Sequence, residues 1–304
     1  MKSMSQFSIG SLSRIRLLWL LTVVFSLMAL GAQAQDEESP EKDTRPVRKT
    51  FESVWLMENQ TVMVPIKGTF EMDIQHRFGT VDNGYDDFFG LYAPSNIRIG
   101  FNYVPVDKLQ LGFGFTKERK LWDFNAKYAL FQQAREGGWP VSVTYLVYAA
   151  VDSRQKDNFL ESTDRWSYFH QLMIARKLSD NFSLQAGLSI SHFNFQEQVP
   201  TEVDPNITEK MNNDHLGLSF LGRYKIGSTA SIIAGYDLPL TDHDINNPEP
   251  NLSFGIELVS SSHAFQIFLS NYQSIVPQLN NMFNQNALGD GQLLIGFNIT
   301  RLWN

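Results

Sequence analysis

The sequence predicts an all-β protein, a transmembrane antiparallel up-and-down β-barrel of about 12 strands. Three observations lead to this fold class: an alternation of period two from residue 68 onward, connections that alternate between short and long, and a secretory leader. A period of two places successive side chains on opposite faces of a strand. One face is apolar and the other carries charges, amides and glycine, which is typical of lipid outside and a polar lumen inside.

The alternation is clearest in residues 69–116. In the first strand, the outward set is Phe70, Met72, Ile74, His76 and Phe78, and the inward set is Glu71, Asp73, Gln75 and Arg77. The same pattern predicts strands at 68–78, 96–104, 109–116, 121–131, 139–150, 165–177, 181–193, 214–225, 229–238, 251–259, 263–271 and 291–303. Residues 165–177 fit the pattern least well, because they are apolar on both faces.

The connections favour the same architecture. Residues 105–108, 178–180, 226–228 and 260–262 read as tight turns, whereas 79–95, 151–164, 194–213, 239–250 and 272–290 are long and polar. Outer-membrane barrels have short periplasmic turns and longer outer loops. Two connections fit poorly: 117–120 is short for an outer loop, and 132–138 is long for a periplasmic turn.

The N-terminus carries an export signal. An apolar run at 17–30 follows Arg14 and Arg16 and precedes Ala32 and Ala34, which predicts a signal peptide over residues 1–34. A membrane anchor is the alternative, but the run is short for a span. Cleavage removes three cations and no acid, so the net charge falls from −7 to −10. An acidic exported chain is a poor binder of nucleic acid, and we expect localisation in the outer membrane.

The mature chain divides into three parts. Residues 35–50 are charged and lack an apolar period, which predicts a flexible periplasmic tail. Residues 51–67 follow no clean period and are expected at the barrel mouth, or as a short extra strand. Residues 68–304 form the predicted barrel. Four tryptophans near predicted strand ends are expected to form an interfacial aromatic girdle: Trp122, Trp139, Trp166 and Trp303.

The candidate functional residues are charged side chains on the inward face of the barrel. They are Glu71, Asp73, Arg77, Arg98, Asp123, Lys127, Arg223 and Glu257. Such side chains line a narrow lumen in a barrel of this size. Two interpretations stay open: a channel for small polar solutes, whose charges set selectivity, or a charge-paired plug that closes the lumen and leaves a structural or partner-binding barrel. Arg77 is the first residue to test, because it is expected to adjoin Arg98.

No enzymatic, metal or cofactor function is predicted. The chain has no cysteine, and its six histidines show no metal-binding spacing. A metal at His243, which lies between two aspartates, and calcium at the acidic loop 82–87 are the weaker alternatives. Ser191 and His192 point to opposite faces of one strand and form no catalytic pair. The expected partners are outer-membrane lipid and either a small polar solute or an envelope protein, with no nucleic acid.

Several short motifs resemble a known family. They lie at 59–62, 74–79, 88–91 and 96–100, and the second contains His76, Arg77, Phe78 and Gly79. Together they resemble an uncharacterised family of outer-membrane β-barrels of Gram-negative bacteria, a domain of unknown function with a His-Arg-Phe-Gly signature. The likeness is concentrated in residues 59–145, and Tyr92 stands where that family tends to place an acid. The resemblance implies a barrel and supplies no activity.

Overall fold

The computed structural model describes residues 42–200 and 208–304. The predicted signal peptide over residues 1–34 lies outside the described residues, as do residues 35–41 of the predicted tail. Residues 45–304 form one compact unit. Within the described part of the chain, no helix is both long enough and apolar enough to cross a membrane.

Twelve long antiparallel strands close into a single barrel. Their bounds are β3 Phe70–Thr80, β4 Asn96–Val106, β5 Leu109–Thr116, β6 Leu121–Phe131, β7 Ser142–Asp152, β8 Trp166–Lys177, β9 Phe182–Phe193, β12 Asp214–Lys225, β13 Ala230–Pro239, β14 Asn251–Val259, β15 His263–Ser270 and β16 Leu294–Trp303. Each of these strands pairs with the next along the chain, and β16 pairs with β3 to close the ring. The predicted up-and-down barrel of about 12 strands is therefore confirmed.

Several short elements accompany the barrel. Two hairpins consist of β1 Trp55–Leu56 with β2 Asn59–Gln60, and β10 Val199–Pro200 with β11 Thr208–Glu209. Among the described residues, an α-helix, α1, spans Pro277–Phe283. The 3₁₀ turns are Val81–Asp87, Glu118–Lys120, Lys156–Asn158, Ser162–Arg165 and Leu288–Asp290.

The alternating pattern places the two sets of side chains as predicted. On the outer face, Phe254 and Ile267 expose 57% and 65% of their surface, which in a membrane is surface offered to lipid. On the inner face, Gln110 is fully buried. Glycines on the inner face make room for large polar neighbours, since a Cβ at Gly114 would collide with the guanidinium of Arg98.

The four girdle tryptophans divide between the two ends of the barrel. Trp122 and Trp166 lie where β6 and β8 leave the loops, and Trp139 and Trp303 lie at the end with the short turns. Three of them are exposed and Trp166 is half-buried. An aromatic side chain with one polar atom suits the boundary between lipid and water at each end.

Residues 51–62, expected at the barrel mouth or as a short extra strand, do not lie at the mouth, and they contain the short strands β1 and β2. These residues run inside the barrel, where Phe51, Trp55 and Val62 are at most 4% exposed. The physical reason is that their apolar side chains find a matching apolar patch on the inner wall. Because the segment packs in every direction, its sequence shows no single-sided period.

The last residues of the predicted flexible tail are also placed against the barrel. Pro46 forms a β-bridge with Ala134, and the Val47 amide donates to the Gln133 carbonyl at 2.8 Å. This pairing explains why the connection after β6 is long for a tight turn. Its first residues are extended and pair with residues 46–47 of the tail.

Candidate functional site

The hairpin β1–β2 enters and leaves the lumen at the short-turn end of the barrel. On entry, the Thr50 hydroxyl lies 3.5 Å from that of Ser142 at the start of β7. On exit, the Gly68 amide donates to the Val104 carbonyl near the turn after β4. Between these points the chain reverses at Met57 and Glu58, which are buried. The hairpin is therefore an internal plug whose base faces the short turns.

Amide side chains of the wall hold the hairpin backbone. Gln266 donates to the Trp55 carbonyl at 2.7 Å and accepts from the Met57 amide at 2.9 Å. Gln185 makes the same two-way contact further along the hairpin, at 2.9 and 2.8 Å. Asn298 donates to the Met57 carbonyl at 2.6 Å. A primary amide carries both a donor and an acceptor, so these side chains take the place of a neighbouring strand.

One side of the lumen packs against the hairpin as an apolar core. Its members are Phe51, Val54, Trp55, Leu56, Met57 and Val62 of the plug with Leu146, Tyr148, Phe169, Met173, Ala175, Leu221, Ile233, Phe268 and Tyr272 of the wall. This core explains the poor pattern of residues 165–177. The inner face of β8 is apolar at Phe169 and Met173 because it touches the plug and not water.

The opposite side of the lumen, formed by β3–β6, carries six of the eight predicted lumen residues. Arg98 binds two carboxylates at once: Nη1 lies 2.7 Å from Asp73 Oδ1, and Nη2 lies 2.7 Å from Asp123 Oδ1. The ring of Trp55 lies 5.5 Å from the Arg98 guanidinium carbon, so the plug also contacts this triad. Three of the predicted lumen residues are thus brought together in one buried network.

The other predicted lumen residues are buried as well but are distributed around the ring. Arg223 Nε lies 2.6 Å from Glu257 Oε2, which forms a second ion pair on β12 and β14. Glu71 accepts from the Asn102 amide at 3.0 Å. Lys127 lies 3.4 Å from a carbonyl of the returning hairpin strand.

Arg77 has a different neighbourhood from the one expected. Across the β3–β4 ladder, Arg98 stands opposite Gln75, and Arg77 stands opposite Asn96. The Arg77 guanidinium lies over the Phe268 ring at 4.7 Å and donates to Asn298 at 2.9 Å. It therefore supports the turn of the plug and does not join the Arg98 network, since two cations in contact would repel each other.

A buried acidic contact at the hairpin tip was not among the predicted site residues. The Glu58 carboxylate accepts from the Tyr272 hydroxyl and from Asn59 Nδ2. Asn59 also donates to Asp237 at 2.9 Å, so one amide bridges two carboxyl groups. The signal that could have found the plug is the set of inward amides on β9, β15 and β16, which need a backbone partner when they are buried.

The β3–β6 wall also holds buried polar atoms that form no hydrogen bond with any of the described residues. They belong to Glu71, Gln75, Arg77, Asn102, Gln110, Thr116 and Asn125. Polar atoms of this kind are usually hydrogen-bonded to internal water. The lumen is therefore two-sided. One face is apolar and packs against the plug, and the other, formed by β3–β6, is polar and suited to water.

A second closure lies at the loop end of the barrel. Helix α1 turns inward, and Leu279 and Met282 pack against Leu121 and Phe193 in a separate apolar cluster. Gln278 anchors the helix by donating to the Ser167 hydroxyl at 3.2 Å. The lumen is thus blocked by the hairpin from one end and by α1 from the other.

The described residues offer no group of three or more His, Asp or Glu side chains that could hold a metal ion. His243 instead pairs with His215, with Nε2 and Nδ1 3.0 Å apart.

Three solved outer-membrane proteins are similar to this chain. The NanC porin is 7% identical, with 77% of this chain and 98% of that chain covered and a TM-score of 0.47. An outer membrane channel from Pseudomonas putida F1 is 12% identical, with 79% and 97% covered and a TM-score of 0.49. The KdgM porin is 9% identical, with 77% and 99% covered and a TM-score of 0.44. No curated protein matches the chain in sequence.

A family match covers the plug hairpin and the barrel together. It runs over residues 51–303 and confirms the resemblance to an uncharacterised membrane barrel family. The His-Arg-Phe-Gly signature stays a prediction. With most of its length matched, the chain belongs to the family described as membrane bound beta barrel domain (DUF5777).

Proposed function

We propose that the protein is an outer-membrane barrel of porin-like type that is closed at rest and passes small polar solutes when the hairpin β1–β2 shifts. The observation that carries this proposal is the two-sided lumen. The plug packs its apolar side chains on the apolar face and meets the polar β3–β6 wall through contacts with Arg77, Arg98 and Lys127. A shift of the hairpin that breaks these contacts opens a path beside the polar wall. The pattern of short turns and long loops, together with membership of a membrane-bound family, supports the outer membrane as its location.

The closed state is the resting state on energetic grounds. Six apolar side chains of the plug are at most 4% exposed: Phe51, Val54, Trp55, Leu56, Met57 and Val62. Burial of one such side chain contributes roughly 1.5–3 kcal/mol, so full withdrawal into water costs on the order of 10 kcal/mol. Spontaneous withdrawal is then rarer than about one molecule in 10⁷. Opening requires either a partial shift of the hairpin or a partner that binds the displaced segment.

The charges on the polar wall indicate which solutes fit. The β3–β6 wall has three basic side chains, Arg77, Arg98 and Lys127, and three acidic ones, Glu71, Asp73 and Asp123. A wall of mixed sign gives little preference between cations and anions. Neutral or zwitterionic polar molecules are therefore the expected solutes.

A disulfide lock tests this proposal. The chain has no cysteine, so the double variant Thr50→Cys, Ser142→Cys can form only one intramolecular disulfide. That disulfide would link the base of the plug to the barrel wall. Planar-bilayer conductance and liposome swelling are then compared for the native chain, the oxidised and reduced double variant, and Trp55→Ala, which loosens the plug. We expect rare openings in the native chain, more in Trp55→Ala, and none in the oxidised lock until it is reduced.

The control is Thr50→Cys alone, which should behave as the native chain does with and without oxidant. A folded Trp55→Ala barrel that stays electrically silent and impermeable would reject the transport proposal.

A second candidate is a permanently closed barrel that docks another envelope protein. The observation that favours it is the double closure, since α1 blocks the loop end independently of the hairpin. In that case neither Trp55→Ala nor loosening of α1 by Leu279→Ala permits conductance. Crosslinking in intact cells should then capture a partner, and removal of residues 35–50 should weaken that capture.

A further inference from the structure

A cavity of about 520 Å³ lies at the loop end of the barrel, above helix α1. This volume falls within the range of small-molecule sites. Its floor includes Leu121, Phe193 and Leu279, which also belong to the apolar cluster that closes this end. The cavity is therefore a pocket with a closed bottom, reached from the loop side.

Two arginines on the cavity wall are stacked on aromatic rings. The Arg119 guanidinium carbon lies 5.0 Å from the centre of the Phe283 ring, and that of Arg165 lies 4.8 Å from the Phe159 ring. Three carboxylates also line the cavity, those of Asp152, Asp164 and Glu197. Among the described residues, none of them and no other carboxylate forms an ion pair with Arg119 or Arg165. Stacking occupies the face of a guanidinium and leaves its N–H edge for a planar anion.

A third arginine in the same cavity shows the contrast. Arg154 binds Asp152 through two nitrogens at 2.7–3.0 Å, and its charge is compensated within the chain. Burial lowers the pKa of Arg119 below its ordinary value, although Glu118 opposes this shift. The Arg119 cation is thus largely buried, and Glu118 and Asp152 attract it without forming an ion pair with it.

The backbone at Arg119 is held in a strained shape. Arg119 and Lys120 have φ values of 51° and 49°, in the left-handed region that non-glycine residues rarely adopt. Glu118 fixes this turn by accepting from Asn96 at 3.0 Å and from the Ser274 hydroxyl at 3.0 Å. Strain of this kind is often found where a side chain is presented to a ligand.

We propose that this cavity binds a small anionic saccharide from the loop side. The carboxylate of the sugar contacts Arg119 and Arg165 through charge-assisted hydrogen bonds. The apolar face of the sugar ring packs on the aromatic lining that includes Trp166, and its hydroxyls meet the side-chain amides of Asn158 and Gln196. Because the pocket floor is closed, binding does not depend on opening of the lumen.

Titration of the purified, folded barrel tests this proposal. Calorimetry and tryptophan fluorescence are followed with glucuronate, with glucose as the neutral sugar and acetate as the anion without a ring. We expect saturable binding of glucuronate and at least about tenfold weaker binding of the other two. Arg119→Gln and Arg165→Gln should each weaken glucuronate binding about tenfold or more, because each removes a charge-assisted contact.

The matched control is Arg48→Gln, which makes the same change on the exposed chain at the opposite end of the barrel and should leave binding unaltered. The oxidised Thr50→Cys, Ser142→Cys lock should also bind glucuronate normally, which separates this proposal from the transport proposal. If Arg119→Gln does not fold, Arg165→Gln and Phe159→Ala supply the same comparison. Absence of saturable glucuronate binding, equal binding of glucose or acetate, or full binding by the arginine variants would overturn the proposal.

Discussion

Arg98 shows how many buried contacts can depend on a single inward-facing residue in this protein. Its guanidinium is almost fully buried and compensates Asp73 and Asp123 while it touches the ring of Trp55. The alternation predicted that these three charged residues face inward. It did not predict which charges pair, because pairing depends on strand register and on what occupies the lumen. Arg77 illustrates the limit, since the plug draws it toward Phe268 and away from Arg98.

Replacement of Arg98 should destabilise the barrel strongly. Arg98→Gln leaves two buried carboxylates without a counter-charge, and breaking a buried pair in this way costs about 3–5 kcal/mol. Urea unfolding in detergent micelles, followed by gel mobility with and without heating, measures the change. The control is Arg154→Gln, where the arginine side chain is 44% exposed and the expected loss is below about 1 kcal/mol. Equal stability of the two variants would contradict the structural role of the triad.

Glu118 should give the loop end a pH dependence. Burial raises the pKa of Glu118 above its ordinary value of 4.5, and the hydrogen bond from Ser274 opposes this effect only in part. A raised carboxyl pKa means that the folded state holds the proton more tightly than the unfolded state. The contribution of Glu118 to folding stability is therefore greatest at low pH and falls as the pH rises through 4.5 toward the folded pKa.

The measurement is amide hydrogen exchange in residues 272–276 across this pH window. Glu118→Gln keeps an acceptor for Asn96 and a polar partner for Ser274 but cannot ionise, so the pH dependence should disappear. A variant that retained the native pH profile would show that another group is responsible.

At the scale of elements, the barrel strands could be predicted and the plug elements could not. All 12 strands were located within three residues at each end, because a closed lipid-facing sheet imposes a strict period of two. The hairpin β1–β2 has strands of only two residues and is packed on all sides, so no period marks it. Helix α1 has seven residues, too few for an amphipathic repeat to be recognised.

Gln266 should stabilise the hairpin against local opening more than any neutral inward-facing residue of the polar wall does. Gln266→Met removes two hydrogen bonds to the hairpin backbone, each worth about 1 kcal/mol, so amide exchange in residues 55–60 should accelerate about tenfold or more. Gln110→Met is the control, because the Gln110 side chain is fully buried and forms no hydrogen bond within the described part of the chain. Exchange in the barrel strands should stay unchanged in both variants. Similar hairpin exchange in the two would show that the amide contacts are dispensable.

At the scale of the whole molecule, the barrel has an apolar outer face and charged side chains on its inner face. A second apolar core lies inside the lumen. The predicted outward residues and lumen residues lie on the expected sides, since closure of the sheet fixes inside and outside once the period is known. Occupancy of the lumen could not be read in the same way. It depends on the fit between residues 51–62 and distant wall positions on β7, β8, β12, β13 and β15.

Tryptophan quenching by brominated lipid should separate the two apolar regions. In a chain without residues 1–34, one variant retains only Trp122 and another retains only Trp55. Trp122 is 46% exposed on the outer face and should be quenched, whereas Trp55 is 1% exposed inside the barrel and should not be. Fluorescence in reconstituted vesicles provides the measurement. Strong quenching of Trp55 would mean that the hairpin does not occupy the lumen in a bilayer.

The seam between β16 and β3 gives the internal hairpin a particular place in biogenesis. The hairpin is joined to β3 by a short link, and β3 finds its last neighbour only when the C-terminal strand arrives. Until that pairing forms, the hairpin is attached to an unpaired strand at the N-terminal edge of the sheet. Because the apolar side chains of the hairpin contact strands far along the chain, we expect an interior substitution to weaken closure of the ring as well as alter the finished barrel.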